Sequence, residues 1–159
     1  MKKYLSVIFI LFISINSLYA KDINKFDSLF KKYGDKYGIS YVLLKTIALT
    51  ENNTLNPKVI RHNTNGTKDI GLMQINTLWI KELKHMHLSE KKLKDPNVSV
   101  EVAAYILSDL IKNNGYSWDT IGMYHSKTRK YKKIWLKRAK NNIKLIAKYD
   151  NKVKIKHEK

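Results

Sequence analysis

Phe26, Leu29, Phe30 and Tyr33 fall at i, i+3, i+4 and i+7. That spacing gathers all four on one face of a helix and scatters them across both faces of a strand. The helical period returns in Val42, Leu43, Ile47 and Ala48, and in Val102, Ala103, Ile106, Leu107 and Leu110. It returns again in Ile134, Trp135, Ala139, Ile143 and Ile146. Alternating runs that would mark strands are scarce. A chain patterned this way buries its apolar area between helices, so the expected class is all-α.

The punctuation fixes the expected order of elements. The first helix ends near Gly34 or Gly38, and Ser40 is the N-cap of a second that runs to Glu51 or Asn52. The stretch "NNTLNPKVIRHNTNGTKD" is rich in Asn, Thr and Gly and reads as an irregular loop or a short β-hairpin. A short helix is expected from near Gln74, carrying Leu78, Trp79 and Leu83, and "KDPNVS" then breaks the chain. A fourth helix spans Val100 to Lys112 and stops at "NNGYS", with Gly115 at C′. A fifth starts at Ser117 or Asp119 and runs through Tyr124. A basic helix from Tyr131 to Lys148 closes the domain, residues 21–150, and residues 151–159 read as a charged flexible tail. Both prolines, Pro57 and Pro96, sit in loop-like segments.

Residues 1–20 differ in kind. Lys2 and Lys3 precede the apolar run "YLSVIFILFISI", too short to span a bilayer comfortably, and Ala20 offers a small residue for signal peptidase. The segment reads as a signal peptide and the protein as exported, to a periplasm. The chain has no cysteine. It is therefore not a lipoprotein, uses no disulfide, and excludes thiol nucleophiles and zinc–thiolate sites. The net charge of +18 calls for an anionic partner. For an exported protein that means cell-wall polymer or anionic lipid rather than nucleic acid. The basic face of the last helix is the surface that would meet a wall or membrane. That helix packs its apolar stripe inward in the simpler reading. A monomer is the default.

Two residues stand out from their surroundings. Glu51 closes the apolar helix "LLKTIALTE" just before the polar loop, among only 13 acidic residues. A helix C-terminus and an apolar setting both favour the neutral carboxyl, the form a general acid needs. The same residue can equally be an exposed helix end. Gln74 stands inside "GLMQI", where an amide is either a satisfied core group, a surface group, or one that faces a ligand. His85 and His87 form His-x-His with no third ligand nearby, so no metal site is expected.

Together, "IALTENNTLNPKVI", "NGTKDIGLMQIN", "DPNVSVEVAAYILSDLI" and "WDTIGMYHSKT" resemble the lytic transglycosylases of the soluble, goose-lysozyme-like type. The likeness is strongest to the small single-domain enzymes that accompany type III and type IV secretion systems. It covers about residues 28–140, and its motifs occur in the right order. The resemblance implies a compact lysozyme-like domain, Glu51 as the single catalytic acid and base, and Met73 and Gln74 as groove-lining residues. It implies that Tyr124 lies close to the acid and that Gly71 lets the backbone approach the groove. Asn52 replaces the family's serine after the glutamate, and His125 replaces the asparagine after the tyrosine. Both keep hydrogen-bonding capacity toward substrate, and His125 adds a titrating group.

The implied reaction cuts the β-1,4 bond between N-acetylmuramic acid and N-acetylglucosamine and closes a 1,6-anhydro ring, with no cofactor. The implied partners are peptidoglycan strands and components of a secretion system. Two other readings stay open. A hydrolytic, lysozyme-type muramidase would use Asp69 as a second carboxylate, although Asp69 can instead cap the Gly71 or Leu72 amides. A catalytically idle, cationic wall-binding module would keep the fold without the chemistry.

Overall fold

A computed structural model describes residues 23–157, with side chains through residue 150. The expected signal peptide, residues 1–20, lies outside the described residues. The elements run α1 (Asp27–Tyr37), α2 (Tyr41–Glu51), β1 (Ile60–His62), β2 (Lys68–Ile70) and β3 (Ile75–Asn76). They continue α3 (Leu78–Glu82), a 3-10 turn (Lys84–Met86), α4 (Glu90–Leu93), α5 (Pro96–Asn114), α6 (Trp118–Met123) and α7 (Arg129–His157). The expectation of an all-α, lysozyme-like domain with a short hairpin after the second helix is met.

The central element is α2, and its sequence explains why. Every residue from Leu43 to Glu51 is buried, as expected of a helix with little polar surface. It packs against α1, α5 and α7. Even Lys45 is fully buried, with its ammonium 2.9 Å from the Asp27 carboxylate and a second bond to Asn24. That ion pair lets a charged side chain sit in the core without an isolated charge.

The polar stretch after α2 folds into a three-stranded antiparallel sheet in the order β1-β2-β3. Ile60 pairs with Ile70, Arg61 with Asp69, and Ile70 with Ile75. The three isoleucines pin the register by pointing one face of the sheet toward the core.

Four expectations change. The helix expected from Gln74 starts at Leu78, because Gln74 takes a left-handed φ of 51° and the next two residues pair with β2. Helix α5 starts at Pro96 rather than Val100: the Asp95 side chain accepts from the Asn97 N–H, and proline is at home in a first turn. Pro96 is thus helical, and "KDPNVS" is a start signal as well as a stop. Helix α7 takes in residues 151–157, expected as tail, and no glycine or proline follows Gly122 to end it. Within α7, Ile134 is 56% exposed, because the inward face is set by Trp135, Ala139 and Ile146, and adjacent residues lie about 100° apart.

Candidate active site

Helix α2 delivers Glu51 to the floor of a cleft of about 500 Å³. The sheet forms one wall, with Asn63, Asp69 and Asn76, and Trp79 follows on α3. Tyr124, His125 and Ser126 come from the turn after α6, and Tyr131 from α7. The mix of aromatic faces with amides and hydroxyls suits a polar, ring-shaped ligand.

Glu51 is 7% exposed. The indole N–H of the fully buried Trp135 donates to its Oε1 at 2.8 Å, and His125 Nδ1 lies 3.1 Å from the same oxygen. The His125 ring stacks on Trp135, centroids 5.8 Å apart and nearly parallel. Among the described residues no hydrogen bond reaches Oε2. One oxygen is therefore fixed and the other is left for a ligand group.

Gln74 lines the cleft from its left-handed backbone position. Its amide nitrogen donates to the carbonyl of Gly71 at 2.8 Å and more weakly to that of Val59 at 3.4 Å. Carbonyls only accept, so the nitrogen must face them. Oε1 is then buried with no partner among the described residues. Such an orphan acceptor costs about 1–3 kcal/mol, and a ligand N–H or O–H would relieve it.

Tyr124 donates its hydroxyl to the carbonyl of Met73 at 2.9 Å. Burial, followed by the nearby Glu51 and Asp69 carboxylates, holds this phenol well above its ordinary range. It is therefore a standing donor at any physiological pH.

Three residues expected in the groove stand behind its wall. Met73 is fully buried, does not line the cleft, and contributes its backbone: its N–H donates to Ser99 Oγ at 3.1 Å, and its carbonyl holds Tyr124. Asn52 spends its side chain on the loop, donating to the carbonyls of Asn56 at 2.8 Å and Gly71 at 3.4 Å and accepting from Thr54. Gly71 makes its close approach to helix α4 rather than to the cleft: a Cβ there would lie 2.1 Å from the Leu93 carbonyl oxygen.

Asp69 does not cap the amides after it. Asn76 donates to its Oδ1 at 2.7 Å and Asn63 to its Oδ2 at 3.1 Å, while the Gly71 N–H goes to the Val59 carbonyl. Both asparagines also donate to Thr67 Oγ1 at 3.0 Å, which ties the hairpin together. Trp135, Asn63 and Asn76 are the contributors that sequence reasoning missed. The available signal for Trp135 was chemical: an indole N–H in an apolar stripe must find an acceptor.

Residues 28–147 match the family described as Transglycosylase SLT domain. Invasion protein IagB of Salmonella typhimurium is 40% identical over 142 residues, spanning 83% of this chain and 84% of that protein. Protein IpgF of Shigella flexneri is 39% identical over 103 residues, spanning 64% of this chain and 67% of that protein.

Proposed function

The chain belongs to the transglycosylase SLT domain family, and on that premise we propose that it is a peptidoglycan lytic transglycosylase acting through Glu51. The reading is carried by one observation. A single carboxyl is buried at the floor of a polar cleft, with one oxygen held by Trp135 and the other free of protein partners among the described residues.

In the proposed reaction, the Oε2 proton of Glu51 passes to the glycosidic oxygen between N-acetylmuramic acid and N-acetylglucosamine. The C1–O bond breaks, and the acetamido group of the muramoyl residue stabilises the oxocarbenium-like centre. Glu51, now a carboxylate, takes the proton of the C6 hydroxyl, and O6 bonds to C1. The product is a 1,6-anhydro sugar, and water is not consumed. The hydroxyl is tethered to the carbon it attacks, so its effective concentration is high. The Trp135 N–H stabilises the carboxylate formed midway. Gln74 Oε1 accepts from an acetamido N–H or a hydroxyl of the glycan, and Tyr124 and His125 line the same face. Asn52, Gly71 and Met73 position the wall behind it. The protein acts as a monomer and needs no cofactor.

A peptidoglycan substrate puts the protein outside the cytoplasmic membrane, and residues 1–20 supply the export signal in this reading. The resemblance to secretion-associated enzymes, and the similarity to a protein named for invasion, support a role in opening the wall for a secretion apparatus.

The test is mass spectrometry of purified peptidoglycan digested by residues 21–159, beside a Glu51→Gln control. Anhydro-ended muropeptides, one water lighter than hydrolysed ones and absent with the control, are the expected result. Ordinary reducing ends would mean hydrolysis, with Asp69 in the same cleft as the second carboxylate. No cleavage with retained wall binding would mean an idle binding module.

A further inference from the structure

A second cleft, of about 410 Å³, opens on Glu51 and is lined by Thr50, Asn53, Arg61, Arg138 and Asn142. Its residues come from α2 and α7, which also contribute to the first cleft, and from Asn53 and β1. On α7, Trp135, Arg138 and Asn142 fall at i, i+3 and i+7 and so share one face. That face is seated against the end of α2 by the Trp135 bond to Glu51 and by Asn142, whose amide donates to Thr50 Oγ1 at 3.0 Å. Arg138, an exposed side chain, lies between those two anchors in sequence. Arg61 reaches the cleft from β1.

The chemistry of this cleft is one-sided. Its lining offers two guanidinium groups and three asparagine amides, and Glu51 is its single acid. Among the described residues neither arginine makes an ion pair. Arg61 stands opposite Asp69 in the strand register, but both Asp69 oxygens are taken by Asn76 and Asn63. Two unpaired cations facing one pocket repel each other and favour an anion between them. A guanidinium fork matches a carboxylate in particular.

We propose that this cleft binds a carboxylate carried on the lactyl side of the muramic acid of a bound strand, so that Arg61 and Arg138 select charged wall glycan over neutral glycan. The proposal rests on the Glu51 cleft being a glycan groove. The sugar rings of such a strand carry no charge; its anionic groups are the carboxylates of the stem peptide, or the lactyl carboxylate itself where the peptide has been removed.

The test uses Glu51→Gln protein, so that binding is read without turnover, and three labelled tetrasaccharides followed by fluorescence anisotropy. One carries stem peptides, one is stripped by amidase to bare lactyl carboxylates, and one is an N-acetylglucosamine tetramer without carboxylates. At least one charged strand is expected to bind about tenfold more tightly than the neutral one, as befits a charge-assisted fork contact. Adding Arg61→Ala and Arg138→Ala should erase that difference. Adding Lys144→Ala and Lys148→Ala, which remove the same charge from outside the cleft, should leave it. If only the peptide-bearing strand gains, the stem carboxylate is the ligand; if the stripped strand gains equally, it is the lactyl one. A preference that survives loss of both arginines, or that the lysine pair also erases, overturns the proposal. Equal binding of all three strands overturns it while leaving the glycan groove standing. Failure of all three to bind removes the groove and the proposal together.

Discussion

Substituting Gly71 by alanine separates two physical effects that usually arrive together. Gly71 has φ +82°, and a Cβ on it would lie 2.1 Å from the Leu93 carbonyl oxygen and 3.1 Å from the Leu93 carbonyl carbon. Gly66 has nearly the same φ, +79°, with nothing within 4 Å of its would-be Cβ. Alanine in that left-handed region costs about 1–2 kcal/mol, and this part is common to both sites. At Gly71 the clash is with backbone, so no side chain can swing away and the end of β2 must separate from α4. Such overpacking adds about 1–3 kcal/mol. Gly66→Ala is therefore expected to lose about 1–2 kcal/mol and Gly71→Ala about 2–5 kcal/mol. For a domain of this size each kcal/mol moves Tm by roughly 3–5 °C, so the extra ~1–3 kcal/mol should make the two variants melt about 3–15 °C apart. Scanning calorimetry reads the difference. Cleavage by Gly71→Ala should fall further than its melting explains, because the Gly71 carbonyl is what aims the Gln74 amide. Equal melting temperatures for the two variants would refute the steric argument.

Trp135→Phe keeps a ring beneath His125 but removes the N–H bonded at 2.8 Å to Glu51. Removing one partner of a buried hydrogen bond costs about 1–3 kcal/mol, so urea unfolding should show a loss of that size; an unchanged midpoint would mean the indole does not hold the carboxyl. Tyr124 gives a pH signature. Its phenol is held well above the ordinary value of 10.0 by burial and by two carboxylates. In the unfolded chain it ionises near pH 10, while the folded chain keeps its proton, so the unfolded state binds fewer protons and stability falls as pH rises past 10. Tyr124→Phe should lack that share of the alkaline loss, and its stability deficit relative to the parent should shrink between pH 8 and pH 11. A deficit constant over that range would show that Tyr124 does not titrate differently in the two states.

Much of the fold was written in the apolar period. Phe26, Leu29, Phe30 and Tyr33 read as one helix face because the 3.6-residue repeat is a local property, and the same holds for the buried run of α2. The hairpin was signalled by turn residues such as Asn63, Asn65 and Gly66. Less was legible where distance in sequence decides. Ile75 and Asn76 look like a helix start until β2 is present to pair with them. Pro96 serves as a breaker in one context and a first-turn residue in another, and only the Asp95 cap resolves which. Within the site, the order of the motifs pointed to Glu51, Gln74, Tyr124 and His125, which all line the cleft. It did not tell that Met73 turns inward or that Asn52 is consumed by its own loop. Orientation about a backbone bond depends on neighbours that a linear motif does not name.

Glu51 lies 84 residues before Trp135 and 74 before His125, yet these two hold its carboxyl. A chain emerging N-terminus first therefore completes α2 long before the groups that hold its acid exist in space. Until α7 docks, the Glu51 carboxyl lacks the Trp135 bond that gives it a fixed direction. Any piece of this protein that stops short of Trp135 keeps the acid and loses its hold. That long separation acts as an interlock: the carboxyl is seated by completion of the fold rather than by synthesis of the residue that bears it.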